Sequence, residues 1–156
     1  MKASETIRAQ LKALLQSQKL GVLSTHERGQ PYASLVAYAV SDSLDRLLFT
    51  TARGTRKFAN LTADSRVAIL ITNSVNAVED FHQASAVTAM GRAWVLPAEE
   101  ADAYMPLYLS RHPYLKAFAS SPTTEMISIA IRRYIMVKQF QKVIEIDIAP
   151  TLDSAP

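Results

Sequence analysis

Thr55, Arg56 and Lys57 are the residues of this chain best suited to chemistry with an anion. They follow the β-branched and aromatic run Leu47-Leu48-Phe49-Thr50-Thr51 and the turn-permitting Gly54. Thr55 is a natural N-cap, Arg56 and Lys57 open a helix, and Phe58 and Leu61 carry its apolar stripe. Free helical N–H groups, a hydroxyl and two cations therefore converge on one point, which is what a phosphate requires. A solvated basic turn that merely joins strand to helix accounts for these residues equally well.

Other chemistries are poorly represented. The chain of 156 residues contains no cysteine, which excludes disulfides, thiolate metal sites and cysteine nucleophiles. His26, His82 and His112 form no HxxxH-type spacing and no carboxylates group around them, so each is expected to be exposed or capping and no metal site is expected. No nucleophile elbow, Walker loop or paired-carboxylate signature occurs, and no catalytic residue is identifiable. With 49% hydrophobic and 20% charged residues the chain belongs to the globular class. Its apolar runs are too short to cross a bilayer, and Met1-Lys2-Ala3-Ser4 lacks a signal-peptide core, so a cytoplasmic protein without a membrane partner is expected. The net charge of +3 is mild, and the cations are scattered except at Arg53, Arg56 and Lys57, which argues against a nucleic-acid partner.

The elements that must position the basic turn can be taken in order. A helix from about Glu5 to Gln18, capped by Ser4, presents Ile7, Leu11, Leu14 and Leu15 at helical spacing. Gly21 to Thr25 and Tyr32 to Ser41 read as strands of a hairpin around the polar turn 26–30. Along the second strand, Tyr32, Ser34, Val36, Tyr38 and Val40 face one way and Ala33, Leu35, Ala37 and Ala39 the other. Neither face is polar, so both are expected to be covered. The small side chains let a protein layer, a second subunit or a flat ligand approach the backbone, and a barrel strand under a helix fits as well. A helix from Arg56 to about Ala63, a strand from Arg66 to Ile71, a long connection over 72–83 and a strand from Ala84 to Leu96 follow. Gly91 is expected to mark a bend or a bulge of the kind a closing barrel needs. Pro97 introduces a helix to about Leu109, then come a break at 110–113, a short helix at 114–119, and strands at 126–137 and 143–148. The sum is one α+β domain over 1–150, an antiparallel β-barrel of six or seven strands with an N-terminal helix and a helical insertion, and a frayed tail over 151–156.

The succession GVLST, polar turn, GQPYASLVAYAV, RLLFTT, GTRKFANLTADSRVAILI and ASAVTAMGRAWVL resembles the pyridoxamine 5′-phosphate oxidase-like flavoproteins, the FMN-binding split barrels. The resemblance covers about Leu20 to Leu96, and GTRK followed by SRVAIL is its most diagnostic part. It implies that the backbone of Ser34, Leu35, Val36 and Ala37 runs along a flavin ring. It further implies that Phe49 and Thr50, with Thr51 next, lie near the phosphate. Thr55, Arg56 and Lys57 match the family's serine-arginine-lysine clamp. FMN is the implied cofactor, with electron transfer to a small substrate as the implied activity.

Departures narrow that expectation. Ala86 stands where the oxidase places a glutamine near the flavin, and the oxidase's C-terminal tryptophan and arginine motif has no counterpart. True pyridoxamine phosphate oxidation is therefore not expected. The segment DFHQASAVTAMGRA and the helical insertion are more similar to the short haem-utilisation-like and uncharacterised branch, which leaves a non-catalytic flavin- or haem-binding module as the alternative. The resemblance also implies a homodimer with shared cofactor sites. Val36, Tyr38, Val67, Ile69, Ile71, Val87 and Met90 are expected to exceed what one small barrel hides.

Overall fold

The computed structural model describes residues 3–139 and 141–149. Helix α1 (Ala3–Ser17) is followed by strands β1 (Leu20–Glu27), β2 (Gln30–Val40) and β3 (Arg46–Ala52), helix α2 (Arg56–Ala63) and strand β4 (Arg66–Thr72). A short helix α3 (Asp80–Gln83), strand β5 (Ala86–Val95), helix α4 (Ala98–Arg111), a 3₁₀ turn, helix α5 (Lys116–Ala119) and strands β6 (Thr124–Lys138) and β7 (Lys142–Asp147) complete the chain. The antiparallel order is β3-β2-β1-β4-β5-β6-β7, and a β3–β6 pairing closes six of the strands into a barrel with β7 added outside the ring. The tail expected over 151–156 lies outside the described residues.

Local chemistry explains each boundary that matters to the site. Arg28 and Gly29 take φ values of 50° and 84°, so the first hairpin closes through two left-handed residues, whose twist matches that of the strands. The expected strands therefore extend to pair Glu27 with Gln30. Register shifts between Met90 and Gly91, as expected of a bulge. A Cβ on Gly91 would lie 2.0 Å from the carbonyl oxygen of Ala130, so only glycine fits that crossing. Strand β6 lends one edge first to β3, over 124–130, and then to β7, over 133–138.

The barrel interior holds Leu23, Val36, Tyr38, Phe49, Ile69 and Ile129, and Leu11 and Leu15 of α1 join the same core. A second apolar cluster, with Leu48, Leu96, Tyr108 and Met126, lies beneath α4.

Three expectations are corrected. Helix α1 already contains Ser4, which cannot be its N-cap. Neither face of β2 is covered throughout: the strand is exposed near Tyr32 and Leu35 and buried from Tyr38 onward. Val36, Tyr38, Val67, Ile69, Ile71 and Val87 are hidden inside one barrel, because a closed ring buries every inward side chain of six strands. Of that set only Met90 is exposed, at 43%.

Candidate functional site

Thr55 is extended, at φ −87° and ψ 154°, and its hydroxyl accepts the N–H of Phe58 at 3.3 Å, so it caps α2. One hydroxyl cannot satisfy a whole first turn, and the N–H groups of Arg56 and Lys57 have no intrahelical acceptor. The Thr55 hydroxyl also lies 2.9 Å from that of Thr51, which ties the end of β3 to the helix start. The basic turn sorts its three cations by role. Arg53 donates to Glu125 at 2.8 Å and to the Pro122 carbonyl at 2.6 Å, and is thereby committed to β6 and the turn before it. Arg56 and Lys57 have no carboxylate partner among the described residues. The Arg56 guanidinium lies 5.5 Å from the ring centre of Tyr32 on β2. Two uncompensated charges, an open helix end and two hydroxyls thus occupy one corner.

Strand β2 runs past this corner with one edge open. It pairs with β1 from Gln30 to Ala37, but meets β3 only through Tyr38, Ala39 and Val40. From Ala37 back towards Pro31 no strand among the described residues lies beside the other edge, so main-chain groups there face a gap. Ser34, on this stretch, has a buried hydroxyl oxygen with no hydrogen-bond partner. Such an orphan favours a ligand that supplies the missing bond. Leu35 is 66% exposed, whereas Val36 is buried and Ala37 half-buried.

Helix α4 closes the inner end of the gap. The Tyr108 hydroxyl accepts from Thr50 Oγ1 at 3.1 Å and donates to the Ala37 carbonyl at 2.9 Å, bridging β3 and β2 where they separate. One turn on, His112 Nε2 lies 2.6 Å from the Tyr38 carbonyl and, donating to it, holds the neighbouring residue of β2. Burial pushes the Tyr108 phenol above its ordinary pKa and the His112 imidazole below its own, so both stay neutral at pH 7. Tyr38, whose hydroxyl donates to the Leu15 carbonyl, is likewise raised by burial.

The sequence-derived residues therefore separate into groups. Thr51, Thr55, Arg56 and Lys57 are brought together, and Ser34, Leu35, Val36 and Ala37 form the strand beside them. The Phe49 ring lies wholly within the barrel core, and the Thr50 hydroxyl is engaged by Tyr108. Tyr32, Tyr108 and His112 were not singled out as site residues from sequence. The spacing of Tyr108 and His112, one helical turn apart, was the available signal. His112 occupies the C-cap position of α4 but is buried, not exposed. His26 pairs with Asp64 at 3.0 Å, and Arg66, donating to the same carboxylate, holds Asp64 well below the usual carboxylate range. Among the described residues no cluster of three or more metal-ligating side chains occurs, and no helix is long and apolar enough to cross a membrane.

Comparison with known proteins gives a consistent picture. A family model described as pyridoxamine 5′-phosphate oxidase matches residues 7–138. No curated protein matches the sequence significantly. The structure of a haem binding protein from Mycobacterium smegmatis is similar with a TM-score of 0.77 at 19% identity, over 86% of this chain and 55% of that one. Campylobacter jejuni ChuZ is similar with a TM-score of 0.79 at 12% identity, over 94% of this chain and 61% of its own. An FAD-binding protein from Mesorhizobium loti is similar with a TM-score of 0.62 at 21% identity, over 83% of this chain and 90% of its own. The chain thus spans 55% and 61% of the first two proteins, and at these identities the likeness concerns the fold. The family match covers all six strands of the ring, the closed antiparallel ring is the architecture it implies, and the chain belongs to the pyridoxamine 5′-phosphate oxidase family of split barrels.

Proposed function

We propose that this protein is an FMN-binding flavoprotein that passes electrons to a small substrate. The observation that carries the reading is the pair of uncompensated cations, Arg56 and Lys57, at the capped start of α2 beside the open edge of β2. Arg56 offers a forked contact and Lys57 a point charge to the phosphate, and the Thr51 and Thr55 hydroxyls and the first helical N–H groups complete the seat. Ser34, Leu35, Val36 and Ala37 present main-chain groups to the polar edge of the ring, with the Ser34 hydroxyl gaining a partner. Phe49 and Thr50 support the site through the strand they hold in place. Bound FMN would supply reversible redox chemistry; the chain contributes position, charge and a partly dry wall.

Phosphate selectivity tests this. Arg56→Ala or Lys57→Ala should weaken FMN by about ten- to a hundred-fold, the equivalent of roughly 1.5–3 kcal/mol, and leave riboflavin nearly unchanged, as read by quenching of flavin fluorescence. Equal losses for both ligands would overturn the assignment.

A carrier role for flavin or haem, without turnover, is the second reading. It is favoured by the side chains along the β2 edge and β3 end, which are hydroxylic or apolar and offer no histidine or carboxylate for proton transfer. Bleaching of the flavin by reduced nicotinamide would support the enzyme and count against the carrier. The cofactor sites are proposed to lie at the boundary of a homodimer, because Leu20, Leu35, Leu70 and Met90 are exposed on the outer face of β2, β1, β4 and β5. Val22, opposite both Leu35 and Leu70, joins them into one patch.

A further inference from the structure

A groove of about 750 Å³ lies at the bulge between β5 and β6, at the opposite end of α2 from the phosphate seat. Four arginines line the groove: Arg66, Arg92, Arg132 and Arg133. Two are compensated, Arg66 by Asp64 at 2.6 Å and Arg133 by Asp147 at 2.6 Å and Glu145 at 3.5 Å. Arg92 donates to the Ser65 hydroxyl at 3.1 Å, and neither it nor Arg132 has a carboxylate partner among the described residues.

The backbone places these charges deliberately close. Arg66 and Arg92 stand directly opposite one another on β4 and β5, a like-charge pairing in which Asp64 offsets Arg66 and no carboxylate among the described residues offsets Arg92. Met90 pairs with Arg133 and Gly91 with Ile131, so Arg132 is the extra residue of the bulge. It sits where β6 exchanges β3 for β7, and its own carbonyl accepts the N–H of Ile148. A bulge at such a point re-aims a side chain out of the ladder. The groove is not merely charged, since Val67, Met90, Ile131 and Ile148 give it apolar lining. Its size falls within the range of small-molecule sites.

We infer that this groove is a second ligand site, for a small organic anion that sets a phosphate or carboxylate between Arg92 and Arg132 and lays an apolar body on the lining between them. Guanidinium forks suit either headgroup, and the apolar lining selects against bare inorganic anions.

Phenyl phosphate and benzoate are suitable probes, with phenol as the uncharged control, measured by isothermal titration on the full chain. The Arg56→Ala/Lys57→Ala chain serves as a background in which the other anion seat is disabled. In that background at least one of the two anions should bind, and phenol should bind at least tenfold more weakly. Arg92→Ala/Arg132→Ala added to it should weaken the anion by at least tenfold, and Arg132→Glu alone should do the same. Both arginines are exposed, so an unchanged thermal midpoint will show that the variants fold. The preferred probe tells a phosphate ligand from a carboxylate one. The inference is overturned if neither anion binds at millimolar concentration, if phenol binds as well as the anions, or if the arginine variants bind as before. It is also overturned if a short single-stranded oligonucleotide displaces the probe with steep salt dependence, which would make the groove a nucleic-acid surface. Flavin binding at the α2 seat should be unchanged in Arg132→Glu, which keeps this site's fate separate from that of the proposed cofactor site.

Discussion

Single residues decide where this fold can and cannot be altered. At Gly91 a methyl group would meet the main-chain oxygen of Ala130, and backbone cannot swing aside as a long side chain can. Gly91→Ala should cost about 3 kcal/mol in urea unfolding, at the upper end for overpacking, and loss of less than 1 kcal/mol would show that the bulge relaxes. His112 carries a pH dependence whose sign follows from its burial. An unfolded histidine titrates near 6.5, and burial beside Arg111 and Lys19 lowers the folded value despite the bond to the Tyr38 carbonyl. Below about pH 6.5 the unfolded chain therefore holds more protons, so stability is full above that pH and falls beneath it, by up to about 1.4 kcal/mol per pH unit. His112→Gln keeps a donor for the Tyr38 carbonyl without titrating. Thermal midpoints between pH 7 and 5 should decline less in that variant, and a decline as steep as the parent's would assign the effect elsewhere. Asp64, held low by Arg66, withdraws its own contribution only in more acid solution, below the ordinary carboxylate range.

At the scale of elements, α4 is the part that bridges β2 and β3 where they part. Strands β2 and β3 share only three paired positions, and the Tyr108 hydroxyl occupies the point where they separate. Tyr108→Phe leaves the Ala37 carbonyl and the Thr50 hydroxyl without that partner in a buried place. The cost should be about 1–3 kcal/mol in stability. Because Ala37 lies on the proposed flavin strand, FMN affinity should fall with it, riboflavin affinity should fall equally, and the phosphate contribution should be untouched. A variant in which only the FMN-specific part is lost would mean that α4 acts on the clamp instead. Pro106 within α4 does not break the helix, which runs on to Arg111 and so delivers both Tyr108 and His112 to β2.

For the whole molecule, the exposed patch formed by Leu20, Leu35, Leu70 and Met90 is the feature to be explained. Leu35 belongs both to this patch and to the proposed flavin strand, so association and cofactor binding should be linked. Light scattering at micromolar concentration should find a particle of twice the 17.2 kDa chain mass, dissociating more readily once FMN is removed. Leu35→Glu/Leu70→Glu should give a monomer with weakened FMN binding. A parent protein that holds FMN at the mass of one chain would refute the shared site.

The capped basic start of α2 was legible in the sequence because it is local: a cap, two cations and a glycine turn lie within four consecutive residues, and α2 begins at Arg56 as its chemistry dictates. Strand identity and the Gly91 bulge were legible for the same reason, since alternation and a lone glycine are short-range signals. Tertiary structure alone decided the rest. Whether Val36, Tyr38 and Ile69 face a core or a partner depends on ring closure through β3 and β6, residues about 80 apart in sequence, and no periodicity encodes that pairing. The same closure commits Arg53 to Glu125 while Arg56 and Lys57 have no carboxylate partner among the described residues, a distinction invisible in a run of basic residues. Tyr108 and His112 acquired their partners because a helix from the insertion packs over the parting of two strands, and the carbonyls they bind belong to a backbone that carries no sequence mark of being exposed there.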